Sequence, residues 1–418
     1  MQMKTPKGMR DILPPDGELW RRTENILALI ARLYGYKEIR TPILEYSFLF
    51  RKGLGDSSDV VEKEMYEFED KDGSYLTLRP EGTAPVVRSY IEHGMKSLPW
   101  VRVFYIGPMF RREKPQKGRY RQFHQFGIEL FGVSGPHGDA EAMVMLYRVM
   151  RIFGVNGYMS YNNIGCPVCR PKYIKALRSE IEKYWDDIPK EYHEKINRNP
   201  MRFFDIKDEK VVSLFDKMPT IEDFLCEECQ AHKEGLETLL AKLGMPYEKN
   251  IRLVRGFDYY TRTVFEYIGE GLGAKSAVAG GGRYDYLMES YGGPSVPGVG
   301  FGLGIERLLM VAQVPEKVVY EPYAEVMVVY TKKDFMDDAF VLAETLRDRF
   351  IAAEVDLRGT SLKSQMKAAA KRNYKYVLIL GDDEIEKGMV TLRDMETGKQ
   401  EMFKQEDIAD IILERGSS

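Results

Sequence analysis

The sequence predicts an α+β domain built on an antiparallel sheet, with a helical insertion inside it and a separate α/β domain after it. Two apolar runs that flank a basic loop, at residues 101–132, indicate a long antiparallel hairpin. Residues 164–243 have a largely helical pattern and contain all four cysteines. From residue 323 onward, strand and helix patterns alternate, which is typical of an α/β sheet.

The length and composition describe a globular protein with room for several domains. The chain has 418 residues, of which 44% are hydrophobic and 30% charged, and this length suits two or three domains. Its net charge is only −3, so a nucleic-acid partner would be held by local basic patches. The N-terminus lacks the apolar core of a signal peptide, and no apolar run has transmembrane length. We therefore expect a cytoplasmic protein that does not bind a membrane.

An apolar helix and a proline-bearing strand begin the chain. Apolar residues recur at helical spacing over residues 16–34, and residues 36–45 have a strand pattern. Pro42 cannot donate a ladder hydrogen bond, so it marks a sheet edge or a strand that ends at an interface. The helix and the strand could pack inside the core of one chain, or they could form the contact between two copies of the chain. The sequence favours neither interpretation.

Polar residues gather where the next strand runs into a helix. Residues 75–83 include this junction, and Glu81 and Thr83 lie at its end. A carboxylate and a hydroxyl placed there can bind an amine. An acid in the first turn also stabilises a helix N-terminus through the helix dipole. From this segment alone, capping of the helix by Glu81 is the favoured interpretation.

The hairpin at residues 101–132 combines positive charge with aromatic and polar side chains. Its loop has six Arg or Lys residues in the eleven positions 111–121, and arginine forks suit phosphate. On the return strand, Phe123 offers a flat face to a base. Gln125 and Glu129 lie four residues apart and point to the same face. The hairpin is predicted to hold a polyphosphate and a small polar ligand, although an exposed basic hairpin is the alternative.

The insertion contains two CxxC pairs, Cys166 with Cys169 and Cys226 with Cys229. Two such pairs are the usual ligand set of a tetrahedral structural zinc site. The gap between the pairs is longer than in a compact zinc ribbon, so the insertion would have to fold back on itself. Reduced cysteines without a metal, or a site that has lost its metal, are the alternatives.

A second polar cluster follows the insertion. Residues 251–254 have a strand pattern, and Arg255, Asp258, Tyr259 and Tyr260 come directly after it. Placing these side chains so close together is costly unless they line a site. The tyrosine hydroxyls can hydrogen-bond a polar ligand, and Arg255 can neutralise charge that develops in a transition state. A tyrosine-rich surface strand is the alternative.

Glycine-rich segments follow at residues 279–285 and 298–304. The first is predicted to be a tight turn at which backbone approaches a ligand closely. The second alternates glycine along a strand, which leaves one face open to a flat ring, and it leads into a helix that contains Arg307. The segment lacks the lysine of a Walker A motif and the spacing of a Rossmann fingerprint.

The C-terminal domain is predicted after a linker at residues 314–322. Helix 362–373 is rich in lysine and is either an RNA-facing surface or a solvated helix face. The predicted strands are 326–330, 354–357, 376–380, 389–394 and 400–403, and the predicted helices are 335–350, 362–373 and 406–413.

Together these segments resemble the class II aminoacyl-tRNA synthetases, and specifically the histidyl-tRNA synthetase family, along essentially the whole chain. The elements around Pro42 are similar to motif 1, the dimer element, the hairpin is similar to motif 2, and residues 298–307 are similar to motif 3. Residues 255–260 and 280–285 resemble the two histidine-specific signatures, with Phe257 where leucine is usual.

The resemblance implies a class II synthetase fold. Its α+β catalytic domain, with an antiparallel sheet, would comprise residues 1–163 and 244–318. The helical insertion would be residues 164–243, and an α/β anticodon-binding domain would be residues 323–418. The implied enzyme is a homodimer that activates L-histidine with ATP and Mg²⁺, releasing pyrophosphate, and transfers it to the 3′ end of tRNA(His). The hairpin loop around Gln116 would contact the acceptor end, and Zn²⁺ stays open because the paired cysteines are not general to the family.

The resemblance also implies roles for individual residues. Arg111 and Arg255 would be catalytic, the first holding the α-phosphate and the histidine carboxylate, the second stabilising the developing charge. The implied histidine-binding residues are Glu81, Gly82, Thr83, Arg111, Gln125, Glu129, Arg255, Tyr259 and Tyr260. The implied ATP-binding residues are Arg111, Glu113, Arg119, Phe123 and Arg307. The candidate metal ligands are Cys166, Cys169, Cys226 and Cys229.

Two alternative functions are compatible with this fold. The regulatory subunit of ATP phosphoribosyltransferase shares the synthetase fold but binds ligands without aminoacylation, and such subunits lack the C-terminal domain and the arginines present here. A class II synthetase for proline, threonine or glycine is the other alternative, and the segments at Arg255 and Gly280 disfavour it.

Overall fold

A computed structural model of the chain describes residues 3–55, 58, 60–114, 118–271, 277–315 and 325–416. The strands of these residues are Lys37–Glu38 (β1), Leu44–Tyr46 (β2), Tyr66–Glu69 (β3), Tyr75–Leu78 (β4), Val101–Phe110 (β5), Gln122–Phe131 (β6), Gly157–Asn163 (β7), Glu248–Lys249 (β8), Thr261–Gly269 (β9), Ala277–Arg283 (β10), Gly298–Gly304 (β11), Glu325–Tyr330 (β12), Ala352–Val355 (β13), Tyr376–Leu380 (β14), Met389–Asp394 (β15) and Gln400–Lys404 (β16). The α-helices are Asp16–Leu33 (α1), Ser47–Leu54 (α2), Thr83–Glu92 (α3), Pro136–Ile152 (α4), Arg170–Glu182 (α5), His193–Arg198 (α6), Glu209–Val212 (α7), Glu227–Lys242 (α8), Leu287–Ser290 (α9), Ile305–Val311 (α10), Met336–Asp348 (α11), Leu362–Lys371 (α12), Asp382–Lys387 (α13) and Ile408–Gly416 (α14).

An eight-stranded sheet forms the centre of the molecule, in the order β1-β5-β6-β11-β10-β9-β7-β8. Its six inner strands pair antiparallel, and the parallel pairs β1–β5 and β7–β8 lie at the edges. The predicted antiparallel sheet is therefore confirmed. Helix α4 covers one face with a row of buried side chains that includes Met143, Leu146 and Met150.

The hairpin is longer and more regular than the two apolar runs indicated. Strands β5 and β6 pair from Val101 with Phe131 to Phe110 with Gln122. Apolar side chains of both strands, among them Phe104, Phe126 and Ile128, are fully buried in the main core. Burial of this much aromatic surface fixes the hairpin, so the polar residues of β6 have a rigid support.

Three sequence predictions about local structure are wrong. The strand expected at 36–45 is two short strands in different sheets, because β1 joins the large sheet whereas β2 pairs with β4. Residues 251–254 form a turn rather than a strand, since the amide of Leu253 bonds back to the carbonyl of Asn250. The glycine turn expected at 279–285 is largely strand β10.

The insertion is helical, as expected. Helices α5 to α8 and several short 3₁₀ turns surround buried side chains such as Tyr173, Leu177 and Phe203. The segment leaves the sheet after β7 and returns to it at β8, so both of its ends are anchored on the same sheet edge.

The C-terminal domain is a five-stranded mixed sheet in the order β13-β12-β14-β15-β16, with α11 and α12 among its helices. It packs on the catalytic sheet through buried ion pairs. Arg102 on β5 contacts Glu141 at 2.9 Å and Glu354 on β13 at 3.0 Å. Most of the expected linker lies outside the described residues. Among the described residues, no helix combines the length and apolarity needed to cross a bilayer.

Candidate active site

Gln125 and Glu129 lie four residues apart on β6, on the same face of the sheet and opposite glycines of β11. In the β6–β11 ladder, Glu129 is opposite Gly300 and Gln125 is opposite Gly304. A Cβ atom on Gly300 would lie 2.3 Å from Oε2 of Glu129, so the glycine leaves room for that carboxylate. The glycines of β11 therefore admit the polar side chains of the neighbouring strand, a role that the sequence did not predict. Oε1 of Gln125 is buried and has no hydrogen-bond partner within the described part of the chain.

Glu129 is the most enclosed carboxylate of the cluster. It is 1% exposed, its Oε1 accepts a 2.7 Å hydrogen bond from Thr83, and its Oε2 accepts one from the Tyr284 hydroxyl. Burial raises the pKa of Glu129 to about 8, which the bonds from Tyr284 and Thr83 only partly offset. The Tyr105 ring lies close by, against Gly82 and Gly127. Neither tyrosine was predicted as a site residue, although Tyr284 lies within the glycine-rich segment 279–285.

Glu81 caps helix α3. Its two carboxylate oxygens accept the backbone N–H groups of Thr83 and Ala84, each at 2.7 Å. The capping interpretation is therefore confirmed. Glu81 also belongs to the polar cluster, because Thr83, which it caps, is hydrogen-bonded to Glu129. Gly82 is required by close approach, since a Cβ atom there would lie 2.2 Å from the Tyr105 ring. Burial raises the pKa of Glu81 above its ordinary value.

Two tyrosines complete the apolar wall of this cluster. The rings of Tyr259 and Tyr260 lie 4.5 Å apart between centroids, and Tyr259 meets Tyr284 edge-on at 5.7 Å. Tyr260 is only 6% exposed, so the alternative of a tyrosine-rich surface strand is wrong. Tyr259, Tyr260 and Tyr284 thus form a group of packed aromatic rings beside Glu129, called the aromatic chamber below. Aromatic side chains with a few polar groups are a composition common in small-molecule sites.

Arg255 lies beside this chamber and pairs with Glu266 on β9. Its Cζ atom is 5.8 Å from the centroid of the Tyr260 ring. A Cβ atom on Gly280 would lie 2.4 Å from Nη1 of Arg255, so the glycine of β10 makes room for the guanidinium. Sequence reasoning missed Glu266 as a partner because it lies eleven residues further along the chain.

A group of arginines lies at the loop end of the hairpin. Arg111 donates from Nε to the carbonyl of Pro80 at 2.8 Å, and its Cζ lies 5.2 Å from the Phe123 ring centroid. Glu113 lies between two guanidinium groups, 3.7 Å from Arg111 and 3.2 Å from Arg119. The hairpin return strand and its loop thus bring together the predicted phosphate-binding side chains.

Arg307, at the start of α10, reaches the same region. It donates to the carbonyl of Gly118 at 3.0 Å and to that of Ala277 at 2.7 Å. Burial lowers the pKa of Arg307, and the positive charge of Arg119 acts in the same direction. The implied ATP-binding role of Phe123 and Arg307 stays a prediction. Gln116 and Lys117, which were expected to contact the acceptor end, lie outside the described residues.

The fold brings the four cysteines together. Their Sγ atoms all lie within 4.8 Å of one another, with Cys166 at 3.6 Å from Cys169 and at 3.8 Å from Cys226. A tetrahedral zinc ion with Zn–S bonds of about 2.3 Å places its sulfur ligands about 3.8 Å apart. The insertion therefore folds back on itself as a zinc site requires.

Comparisons with known proteins agree with this geometry. The family model for histidyl-tRNA synthetase matches residues 8–160 and 212–308, and that for the anticodon binding domain matches residues 325–415. A histidine–tRNA ligase from Desulforudis audaxviator is 45% identical over 404 residues, which cover 96% of either protein. The first cysteine pair lies outside the matched residues, whereas the second lies inside them.

Solved structures give the same result. Apo S. aureus histidyl-tRNA synthetase is 35% identical with a TM-score of 0.61, over 99% of this chain and 100% of that one. An ATP phosphoribosyltransferase regulatory subunit/histidyl-tRNA synthetase from Bacillus halodurans C is 21% identical with a TM-score of 0.56, over 90% of this chain and 98% of that one. The second likeness shows the shared fold alone. The chain thus belongs to the histidyl-tRNA synthetase family of class II aminoacyl-tRNA synthetases, with an anticodon-binding domain at its C-terminal end.

Proposed function

We propose that this protein activates histidine with ATP and transfers the histidyl group to the 3′ end of tRNA(His). Family membership confirms the predicted histidine–tRNA ligase class. The single observation that supports the site assignment best is the continuity of β6. This one rigid strand has Glu129 among the tyrosines, Gln125 four residues before it on the same face, and Phe123 at the arginine group. A ligand that spans these positions would have a small polar ring at one end and phosphates at the other.

Histidine would occupy the aromatic chamber. Its imidazole fits between Glu129 and Tyr260, with Tyr259 close by, and hydrogen bonds to the ring nitrogens would reject apolar analogues strongly. The α-amino group would be bound by the polar groups at the start of α3, Glu81 and Thr83. Gln125 would help to bind this amino group. Its buried Oε1 lacks a hydrogen-bond partner within the described residues and can accept one from the amine.

The reaction would take place between this chamber and the arginine group. The histidine carboxylate attacks the α-phosphorus, the bond from that phosphorus to the bridging oxygen breaks, and pyrophosphate leaves. Arg111 would hold the α-phosphate and the carboxylate together, which makes attack effectively unimolecular. Arg255, fixed by Glu266, would stabilise the negative charge that develops. Arg119 and Arg307 would bind the outer phosphates.

Mg²⁺ would accompany ATP at this site. Arg307 interacts electrostatically with Glu113 and Glu266, so two carboxylates lie near the phosphate-binding arginines and suit a hard cation. When bound, the ion neutralises phosphate charge. The adenine would lie against Phe123, with Glu113 near its edge.

The C-terminal domain would bind the anticodon. Three lysines along α12 are exposed, namely Lys363, Lys367 and Lys371. A basic helix face of this kind suits the phosphate backbone near single-stranded bases. A solvated helix face remains the alternative, and charge reversal at these lysines with measurement of tRNA affinity separates the two.

A homodimer through the motif 1 elements is part of the proposal. A groove lies beside α1, β1 and β5, and apolar side chains around β2 are exposed, including Leu44, Tyr46 and Phe48. Exposed apolar surface of this extent is typical of an interaction site. Light scattering should give twice the 48.2 kDa of one chain, and a monomer would contradict the proposed homodimer.

The cytoplasmic location stays a prediction.

Structural zinc at the four cysteines is also proposed. The sulfur spacing supports it, and Cys166, Cys169 and Cys229 are buried. Metal analysis of purified protein should give about one zinc ion per chain, and Cys226→Ser should lower that content. An absence of zinc from protein purified without chelators would contradict the proposal.

Aminoacylation tests the function directly. Labelled histidine and ATP should charge tRNA(His) and leave tRNA for proline uncharged. Histidine binding without transfer to tRNA would instead favour a regulatory subunit that resembles a synthetase.

A further inference from the structure

The insertion contacts the histidine-specific signature through the residue that follows its first cysteine pair. Arg170 comes directly after Cys169, and its guanidinium donates to the backbone carbonyl of Tyr260. The same guanidinium also donates to the carbonyls of Ile164 at 3.4 Å and Gly165 at 3.3 Å. One arginine therefore links the chain that enters the cysteine cluster to the wall of the proposed histidine chamber.

Backbone bonds reinforce this link two residues further along. The amide of Ile164 donates to the carbonyl of Arg262 at 2.7 Å, and the amide of Arg262 donates to the carbonyl of Gly165 at 2.9 Å. Arg262 has a φ of +52°, which an arginine rarely adopts without external support. The segment that leads into the first cysteine pair is thus the support for this unusual conformation.

The second cysteine pair reaches the same strand. Glu228, between Cys226 and Cys229, pairs with Arg262 at 3.1 Å. Residues beside both cysteine pairs are therefore bonded to residues 260–262. If the cluster moved, the backbone carrying the Tyr260 side chain would move with it.

We propose that Arg170 is a positioning residue for histidine binding, and that the four-cysteine cluster holds it in place. Fixing the Tyr260 carbonyl with a charged donor sets where the Tyr260 ring lies opposite Glu129. ATP would be bound by the arginines of the hairpin, which Arg170 does not contact. Loss of Arg170 should therefore weaken histidine binding and spare ATP binding. The inference rests on the proposed function, since it assigns the Tyr260 wall to histidine.

The test is ATP–pyrophosphate exchange with the two substrates varied separately. In Arg170→Ala, the KM for histidine should rise about tenfold, because a charge-assisted hydrogen bond is lost, while the KM for ATP stays within about twofold. Arg170→Lys keeps the charge and should restore much of the histidine affinity. Arg178→Ala on the same helix is the matched control, since Arg178 is exposed and donates to the carbonyl of Asn197, and it should change neither constant.

Equal rises in both KM values, or an unchanged KM for histidine, would overturn the inference. Should Arg170→Ala fail to fold, Glu228→Gln is the deciding variant, because Glu228 is exposed and the substitution removes its ion pair with Arg262. It should raise the KM for histidine selectively by about twofold to threefold, as expected for an exposed pair. No selective rise would count against the proposal. Wild-type protein that shows no exchange with histidine would instead refute the proposed function.

Discussion

The Thr83 hydroxyl donates a 2.7 Å hydrogen bond to Oε1 of Glu129, across 46 residues of sequence. This contact joins the start of α3, where Glu81 caps the helix, to the floor of the chamber on β6. The groups proposed for the histidine amine and those proposed for its imidazole are thus one connected network. A substitution at Glu81 or Thr83 should therefore shift the Glu129 side chain, and a substitution at Glu129 should shift theirs.

Replacing Glu129 by glutamine should change how stability depends on pH. The folded protein keeps the Glu129 proton up to about pH 8, whereas an unfolded carboxyl group loses it near its ordinary value of 4.5. Folding therefore takes up a proton between these values, and wild-type stability falls as pH rises through this window. Glu129→Gln should be more stable than wild type at pH 8 by a few kcal/mol, with little difference at pH 4.5.

Thermal unfolding of both proteins from pH 4.5 to 8.5 measures this effect. Glu386→Gln, at an exposed position of α13, is the control and should follow wild type throughout. Parallel curves for Glu129→Gln and wild type would mean that Glu129 is ionised in the folded protein. Glu129→Gln should also lose histidine activation at every pH, since an amide has no acidic proton to transfer to the imidazole of bound histidine and cannot form the ion pair that results.

Replacing Arg255 by alanine should abolish adenylate formation while leaving ATP binding largely intact. Arg255 is proposed to act on charge that appears only as the carboxylate attacks, so its loss should reduce kcat by about 100-fold or more. Single-turnover adenylate formation and nucleotide titration measure the two properties separately. Loss of ATP affinity in this variant would show that Arg255 serves binding instead.

Gly280→Ala should impair the same step without unfolding the protein. Its new Cβ atom would lie 2.4 Å from Nη1 of Arg255, and the end of a flexible side chain can move aside at small cost. Displacement of a catalytic group by about 1 Å can reduce activity by about 100-fold. The control is Gly256→Ala, where a Cβ atom meets nothing within 4 Å. Comparable activity in the two variants would contradict the assigned role of Gly280.

Arg102→Met should destabilise the chain strongly. Arg102 is buried between Glu141 and Glu354, and its loss leaves both carboxylates without their common partner, at a cost of about 3–5 kcal/mol. Arg40→Ala, which breaks an exposed pair with Glu38, should cost less than about 1 kcal/mol. Urea unfolding compares the two variants. Similar small losses would mean that the contact between the domains contributes little to stability.

Much of the site could be predicted from local patterns. The hairpin was recognisable because its strands are adjacent in sequence, and strand geometry alone places Gln125 and Glu129 on one face. Tyr284 could not be found in this way, since it lies 155 residues from Glu129 and only the order of strands in the sheet brings them together. Glu266 was overlooked for a related reason, because a turn separates Arg255 from β9 and only the folded chain brings the Glu266 carboxylate to the Arg255 guanidinium.

The wrong prediction for residues 279–285 has a physical explanation. Glycine is favoured in turns and also wherever neighbouring atoms leave no room for a Cβ atom. In β10, a Cβ atom on Gly281 would lie 2.1 Å from the carbonyl oxygen of Gly300 and one on Gly282 would lie 2.4 Å from that of Thr263. The sequence shows that glycine is needed at these positions. Only the packed sheet shows that the reason is the lack of room for a Cβ atom rather than a turn.

ATP–pyrophosphate exchange with each amino acid in turn measures the chemistry of the chamber and the arginine group together. We expect exchange that depends on histidine and is lost in Glu129→Gln. Exchange driven by proline, threonine or glycine, or no exchange with any amino acid, would contradict it.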